Sequence, residues 1–393
     1  MIRFFKNIYH LFVAIVSLLL FRFPANQLTV IGVTGTDGKT TTATLIYEIL
    51  KKAGMKASMI TSVHAVVAGK TYDTGFHVTT PNAFYVQKYL REAVDHKDTH
   101  VVLEVTSHAL DQHRVFGIPF RIGVVTNVTH EHLDWHKTYG VYLQTKIKLL
   151  RWSQSAVVNK DETILYDAVV NLIDRQKIIS FGIETDANVT PKNFPFTTKL
   201  PGVFNQYNCL AAITTAKALS IDPDLIRKTV GEFSGVIGRM EVVYKGAYTV
   251  IVDFAHTPNA IKQVLSTVRP LTKGRLIHVF GSAGLRDHTK RPEMGKESSK
   301  YADSIVLTEE DYRTENVDEI MDQIQQGIAE GKDVNRFPNR ADAIRFALKN
   351  AKKGDTVIIT GKGHEKSLCR GRTEFPWSDQ EEVQKVLRNL SSG

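Results

Sequence analysis

The sequence predicts an α/β protein made of two units, each built around a mainly parallel sheet, with a Rossmann-like α/β domain at the C-terminal end. Three observations predict this. Short β-branched runs alternate with helical stretches from Pro24 onward, the pattern of helices packed on a parallel sheet. A glycine-rich loop stands between one such strand and one such helix. The alternation then restarts after Gly235-Val-Ile-Gly-Arg239, where two glycines mark a hinge. Its 393 residues amount to two to three domains at roughly 150 residues each.

The elements follow in order. Leu11 to Phe21 (LFVAIVSLLLF) is apolar and follows Arg3 and Lys6. It is too short to span a bilayer, although Ile8 to Phe23 approaches the lower limit. A signal peptide is one reading, but no small-x-small cleavage site follows. The others are a helix packed on the body and a shallow membrane-surface anchor. Leu28 to Val33 reads as a buried strand and Thr40 to Lys52 as a helix ended by Gly54. Further strands are expected at Lys56–Thr61, His100–Val105, Ile122–Thr126 and Ala156–Asn159, with helices at Pro81–Val94 and Tyr139–Leu150. The second series of strands comprises Tyr248–Asp253, Arg275–Phe280, Ser304–Leu307 and Thr356–Thr360. The expected division is an apolar N-terminal segment 1–27, a central domain 28–236 and a C-terminal domain 237–393.

Composition narrows the class. Hydrophobic residues at 42% and charged residues at 23% exclude a disordered, collagen-like or disulfide-rich chain. Lys plus Arg less Asp plus Glu is 50 − 41 = +9, which favours anionic partners. The positive residues are spread rather than run together, so nucleic acid is not indicated. Cys209 and Cys369 have no paired spacing, which argues against a disulfide framework and for a cytoplasmic protein.

The sharpest motif is Gly35-Thr-Asp-Gly-Lys-Thr-Thr41, directly after a strand and opening a helix. Its backbone amides can wrap a phosphate, Lys39 can reach the outer phosphates, and the Thr40 hydroxyl can hold Mg²⁺. The strict Walker spacing wants Gly at position 33, but Val33 stands there with Gly32 before it, so the loop is a variant form. Glu104 ends a central strand and is well placed to bind magnesium. His130-Glu-His-Leu-Asp-Trp-His136 is rich in ligand types. It has neither the H-E-x-x-H spacing nor a cysteine, which argues against zinc. Lys146 lies ten residues further on, along a helix running back past this loop. A bare ammonium beside Mg²⁺ would be repelled.

Together GTDGKTTT, EVTSHAL, TNV…EHLDWH, YLQTK, LPGVFNQYN, GRME and VDFAHTPNA resemble, in order and spacing, the Mur ligase family of ATP-dependent amide-bond ligases. HALDQHRV, GSAGLRDHTKRPEMG and GKGHE resemble its muramyl-tripeptide synthetase branch. The resemblance covers Leu28 to Leu390. It implies a P-loop ATPase central domain and a reaction in which ATP activates a carboxylate as an acyl phosphate that an amine then attacks. It also implies an acceptor, UDP-N-acetylmuramoyl-L-alanyl-D-glutamate, to which diaminopimelate or lysine is added in peptidoglycan precursor synthesis.

By the same resemblance, Lys39, Glu104, His132 and Lys146 are catalytic. Thr40 and Glu104 hold one Mg²⁺, and Glu104 with His132 a second. Lys146, carbamylated by CO₂, becomes an anionic magnesium ligand, which removes the repulsion. The nucleotide falls to Gly35, Thr36, Asp37, Gly38, Lys39, Thr40, Thr41 and Asn127. Asn208 is implied at the adenine, and Arg239, Asp253 and His256 join from the last domain on closure. The acceptor falls to Thr79, Thr80, Thr106, Gln112 and Arg114, the arginine suiting a carboxylate. Thr106 replaces the branch's usual serine and keeps the hydroxyl. Arg286, Asp311, Arg313, Gly363 and Glu365 are implied for the incoming amino acid.

Two departures stand out. The diaminopimelate motif D-N-P-R reads Glu310-Asp-Tyr-Arg313 here. Asp311 either compensates the charge of Arg313 or attracts a side-chain ammonium, which leaves the amino acid open with diaminopimelate favoured. The phosphate loop also starts near residue 35, so the usual N-terminal UDP-binding domain is expected to be missing. Three readings follow for an otherwise monomeric enzyme: the muramoyl-dipeptide is held by its sugar-peptide end alone, a different or lipid-linked acceptor is used with residues 4–23 at a membrane, or a partner chain supplies the missing domain. The rival readings are a ligase for a different peptide, lipid-linked or polymer acceptor, and a nucleotide-binding scaffold subunit.

Overall fold

The computed structural model describes residues 2–72, 80–129 and 133–391. The chain divides into two compact units, Met1–Ser234 and Gly235–Gly393.

The first unit carries strands β1 (Thr29–Thr34), β2 (Ala57–Ile60), β3 (Ala65–Val67), β4 (Lys70–Tyr72), β5 (His100–Glu104), β6 (Phe120–Val125), β7 (Ser155–Asn159) and β8 (Ile178–Phe181). They form one sheet in the order β4-β3-β2-β5-β1-β6-β7-β8. Pairing is parallel from β2 through β8, with an antiparallel edge at β3 and β4. Between their first and last residues β1 and β5 are apolar and buried, because helices cover both faces. Val30, Val101, Leu103 and Phe120 lie in one core and Val125, Ala156 and Val158 in another. Register matters more than content: Val33 pairs with Glu104 and Thr34 with Val125. The ends of β1, β5 and β6 therefore finish level with one another.

Gly32 has no part in the phosphate loop. A Cβ there would lie 2.8 Å from Leu149 and Phe120 side-chain carbons, so the position is small because β1 packs against its neighbours. Gly32 is therefore a packing glycine of β1 rather than a displaced Walker glycine.

The apolar N-terminal segment forms the helix Ile2–Leu20, and its inner face packs on the first unit. Ala14, Ser17 and Leu18 are buried. Leu18 lies against Gly117, which has φ +73° and no room for a Cβ. The Arg91 guanidinium donates to the carbonyls of Phe21 (2.8 and 3.0 Å) and Arg22 (3.1 Å), placing a cation at the negative end of the helix. No helix among the described residues is long and apolar enough to cross a membrane.

The second unit carries β9 (Glu241–Lys245), β10 (Thr249–Val252), β11 (Leu276–Phe280), β12 (Ser304–Thr308), β13 (Asp333–Phe337) and β14 (Thr356–Ile359), plus the hairpin β15 (Ser367–Arg370) and β16 (Thr373–Pro376). The sheet order is β13-β12-β11-β14-β10-β9, parallel except for β9. One buried guanidinium ties its loops together. Arg340 forms a two-pronged pair with Asp379 at 2.7 Å on both arms. It also donates to the carbonyls of Glu309 (3.2 Å) and Thr360 (2.8 Å). Burial would lower its pKa, but Asp379, Glu310 and Glu309 hold it above the ordinary arginine value.

Removing one partner of such a buried pair leaves the other charge uncompensated, at a cost of about 3–5 kcal/mol. Arg340→Met is therefore expected to lower the stability of the second unit by that amount. Urea unfolding followed by Trp377 fluorescence checks it, because the indole N–H donates to Asp379 at 2.9 Å. An unchanged midpoint contradicts the role given to Arg340.

Candidate functional site

The site in the first unit begins where β1 stops. Gly35 has φ +152° and a Cβ there would lie 1.9 Å from the Thr126 hydroxyl oxygen. At Gly38, φ +80°, a Cβ would lie 2.0 Å from Asn208 Oδ1. Glycine is required at both for conformation and for space. The loop is sewn to the end of β6. The Thr36 amide donates to the Asn127 carbonyl and the Asp37 amide to Asn127 Oδ1, both at 2.9 Å. The Thr126 hydroxyl donates to the Asp37 carbonyl at 2.6 Å. The Thr36 hydroxyl meets Tyr142 Oη at 3.2 Å and accepts from the Thr129 amide at 3.0 Å. These bonds preset the curve of the backbone, and Gly38 caps the helix Lys39–Lys52. An anion there would face the positive end of that helix.

Three side chains of opposite character gather around the loop. Lys39 Nζ donates to the Thr36 carbonyl at 2.7 Å, folded over the loop it follows. Glu104 Oε2 accepts from the Thr40 hydroxyl (3.0 Å), the Ser62 amide (3.0 Å) and the Ser62 hydroxyl (3.3 Å). Glu104 and Thr40 are both buried. Lys146, on the helix Tyr139–Trp152, reaches back to donate to the Gly35 carbonyl at 2.6 Å. Its Nζ also lies 4.6 Å from the centre of the Tyr142 ring. The structure thus brings Lys39, Thr40, Glu104, Asn127 and Lys146 to one edge of the sheet. Thr41 is buried on the same helix. Asn208 packs behind the loop, its Nδ2 donating to Asn205 Oδ1 at 3.1 Å. His132 lies outside the described residues. No cluster of three or more His, Cys, Asp or Glu that could hold a metal occurs among the described residues.

A second group stands beside Glu104. The Thr80 hydroxyl donates to the Glu104 carbonyl at 3.0 Å and accepts from the Thr106 amide at 3.1 Å. Thr106 caps the short helix Ser107–Asp111 through the Ala109 amide. Gln112 Oε1 takes two bonds from Arg114, at 2.9 and 2.6 Å, and Arg114 Nη1 donates to the Thr80 carbonyl at 2.6 Å. Burial lowers the Arg114 pKa, so this is a partly dehydrated cation, suited to a carboxylate. Thr79 lies outside the described residues.

In the second unit, the Gly238 and Gly363 loops touch: a Cβ on Gly238 would lie 2.2 Å from the His364 amide nitrogen. Asp253 accepts from the amides of Met240 and Ala255, both at 2.7 Å. Arg239 lies over the Phe254 ring at 4.3 Å, and His256 Nδ1 meets the Phe254 carbonyl at 2.9 Å. Asp311, two positions before Arg313, is buried. Its carboxylate takes the Lys362 ammonium and the Cys369 amide, at 2.8 and 2.9 Å. Lys362 also bonds Glu365. Burial would lower the Lys362 pKa, but Glu365 and Asp311 hold it above the ordinary lysine value. Arg313, at φ +52°, donates to the Gly284 carbonyl at 2.6 Å. Arg286 is exposed nearby in sequence.

Sequence reasoning missed Ser62, Tyr142 and Lys362. Ser62 follows no motif, though a hydroxyl just past the end of a parallel strand is a usable signal, and Tyr142 opens the quoted YLQTK without having been singled out. Lys362 stood inside GKGHE, and its partner Asp311 was the clue: a buried carboxylate requires a cation.

Two family models match the chain: the Mur ligase middle domain over residues 33–216 and the Mur ligase, glutamate ligase domain over residues 238–363. Among curated relatives is the UDP-N-acetylmuramoyl-L-alanyl-D-glutamate–2,6-diaminopimelate ligase of Aquifex aeolicus, 39% identical over 93% of this chain and 78% of the relative. The protein of the same name from Gloeobacter violaceus is 38% identical over 94% and 79%. A solved ligase of that name superposes with a TM-score of 0.63 at 29% identity, over 93% of this chain and 79% of that one. The folylpolyglutamate synthase of Mycobacterium tuberculosis, solved with ADP and AMPPCP, shares the fold: TM-score 0.72, 15% identity, over 88% and 91%.

Gly38→Ala is expected to weaken nucleotide binding by about tenfold or more, because its Cβ would displace Asn208 and the left-handed backbone would be strained. Titration with a fluorescent ATP analogue, alongside circular dichroism to verify folding, checks this. Binding equal to the parent shows that the loop does not cradle the phosphates.

Proposed function

This chain belongs to the Mur ligase family, and we propose that it is an ATP-dependent amide ligase adding 2,6-diaminopimelate to UDP-N-acetylmuramoyl-L-alanyl-D-glutamate. The observation that carries the proposal is the convergence on one sheet edge of a preset phosphate loop, a buried carboxylate dressed by two hydroxyls, and a buried lysine. Relatives of that name, 34 to 39% identical across 93% or more of this chain, supply the substrate class.

The residues fit a magnesium nucleotide. Glu104 and Thr40 offer hard oxygen donors, the set Mg²⁺ takes, and Gly38 leaves the approach to the loop clear of a Cβ. Thr40 and Glu104 would hold one ion. Glu104 with His132 would hold a second, and a carbamylated Lys146 would supply a further anionic oxygen. Bound magnesium would offset charge on the phosphates. Lys39 and the loop amides would hold the outer phosphates in line for transfer. Arg114, with Thr80, Thr106 and Gln112, would hold the acceptor, its partly dehydrated guanidinium pairing with a carboxylate.

Chemistry proceeds in two balanced steps. The acceptor carboxylate takes the γ-phosphoryl group as the bond to ADP breaks, giving an acyl phosphate. The amine then attacks the acyl carbon, the C–N bond forms, inorganic phosphate leaves and the nitrogen loses a proton. Asp311 is occupied by Lys362, so in this reading it does not serve an amino-acid ammonium. Arg313, on its left-handed turn, remains for the distal carboxylate of diaminopimelate.

Phosphate release and product mass, measured with the UDP-linked acceptor across a panel of amino acids, test the proposal. Turnover is expected to need both the acceptor and diaminopimelate, and to fall to background in Lys39→Ala. Turnover with another amino acid, or none with this acceptor, overturns the substrate assignment. Lys146→Ala is expected to be inactive and partly restored by small carboxylates added to solution. Full activity without them removes the carbamate role.

A further inference from the structure

We propose that the outward face of the helix Ile2–Leu20 is a membrane-surface anchor that binds anionic phospholipid. This does not depend on the reaction proposed above.

The face is apolar, continuous and outward. Ile8, Tyr9, Phe12, Ile15, Leu19 and Leu20 recur three to four residues apart on one side of the helix. Phe12 is 65%, Tyr9 64% and Leu19 61% exposed. Such a stripe normally turns into a core. Here the opposite side does so, through Ala14, Ser17 and Leu18. The helix is not a loose tail that could fold back over its own stripe. Leu18 is seated on Gly117 and Arg91 grips the C-terminal carbonyls. The apolar surface also runs past the helix: Phe21 meets the half-exposed Phe84 at 5.2 Å, and Phe116, next to Gly117, is exposed. A patch this wide on a soluble surface marks a binding face.

Charge selects the occupant. No acidic residue precedes Asp37, whereas Arg3, Lys6 and Arg22 do. Lys6 and Arg22 are exposed at opposite ends of the stripe, and Lys88 is exposed on the helix Ala83–Asp95 that packs beside it. Glu92 and Asp95 on that helix are engaged, Glu92 by Tyr72 and Asp95 by Arg91. An apolar stripe with a basic rim suits an anionic bilayer, where the side chains enter the acyl boundary and the cations meet headgroups. A second copy of this face would bring the same basic rims together across a two-fold axis. A helix fixed along the body lies in the interface plane rather than crossing it.

The test is co-sedimentation of the full chain with vesicles of phosphatidylcholine alone and of phosphatidylcholine with about one-third phosphatidylglycerol. Binding to the anionic vesicles is expected to exceed binding to the neutral ones by at least about tenfold and to weaken with salt. The variant Phe12→Asp/Leu19→Asp is expected to lose it while keeping its thermal unfolding midpoint, since both side chains are exposed. Phe12→Trp gives an independent reading: the emission of the introduced indole is expected to shift to the blue with anionic vesicles. Failure to bind either vesicle, or an unshifted emission from the Phe12→Trp variant, overturns the proposal. So does a lipid-free dimer by sedimentation velocity that Phe12→Asp/Leu19→Asp dissolves, because a second copy then covers the face.

Discussion

Parallel pairing of β1 with β5 on one side and β6 on the other is the constraint from which the first unit's site follows. Parallel strands of equal register end together, here with the Val105 amide on the Val33 carbonyl and the Thr126 amide on the Thr34 carbonyl, and past that line the loops need other partners. The chain supplies these from side chains. Asn127 and Thr126 bond the loop that leaves β1, and Ser62 and Thr40 bond the carboxylate that ends β5. The bonds that complete the sheet edge are therefore those that shape the phosphate loop and fix Glu104 beside it. A one-residue slip of β5 would turn Glu104 to the other face of the sheet.

The second unit meets the same problem with buried cations. Arg340 reaches the carbonyls at the ends of β12 and β14, and Lys362 pairs with Asp311 and Glu365. Burying ammonium and guanidinium groups is costly unless each is fully paired, and here each meets two or more oxygen partners. Such networks hold their loops in a single arrangement. The turn at Arg313 is held in this way, with its amide on the Cys369 carbonyl and its guanidinium on that of Gly284. A group that must recognise a distal carboxylate is useful only if its loop does not wander.

The central strands and the loop were legible in the sequence because both signals are local: β-branched runs bounded by turns, and glycines next to a lysine. The edge elements were not. β13 (DVNRF) carries polar residues on both sides, and β9 (EVVYK) begins and ends on a charge and pairs antiparallel, so neither shows the apolar run that marks the central strands. Gly32 was legible as a glycine but not in its role, which depends on Leu149 and Phe120, both distant in sequence. Asp311 shows the same limit. Its sequence neighbour Arg313 was the natural partner to assign, but the chain turns between them and the carboxylate pairs with Lys362, fifty-one positions away.

The N-terminal helix connects these themes to function. Its inner face packs on the segment that ends in Gly117, three residues after Arg114, and the charge of Arg114 is among the causes that lower the pKa of His10 on the helix, after burial. The element that exposes the apolar stripe is thus physically adjacent to the group proposed to grip the acceptor. If the stripe lies on a bilayer, the acceptor side of the first unit is held close to that surface. The phosphate loop belongs to the same rigid sheet edge, through the Thr80 bonds that join Arg114 to Glu104. Anchoring would then fix the approach to the acceptor site relative to lipid without any change in the catalytic groups. A soluble acceptor would reach the site by diffusion along the surface, and an acceptor carried in the membrane would meet it directly. In the proposed reading, the geometry that seats the helix therefore bears on which molecules meet the ligase, while the loop and Glu104 are the groups proposed to act on them.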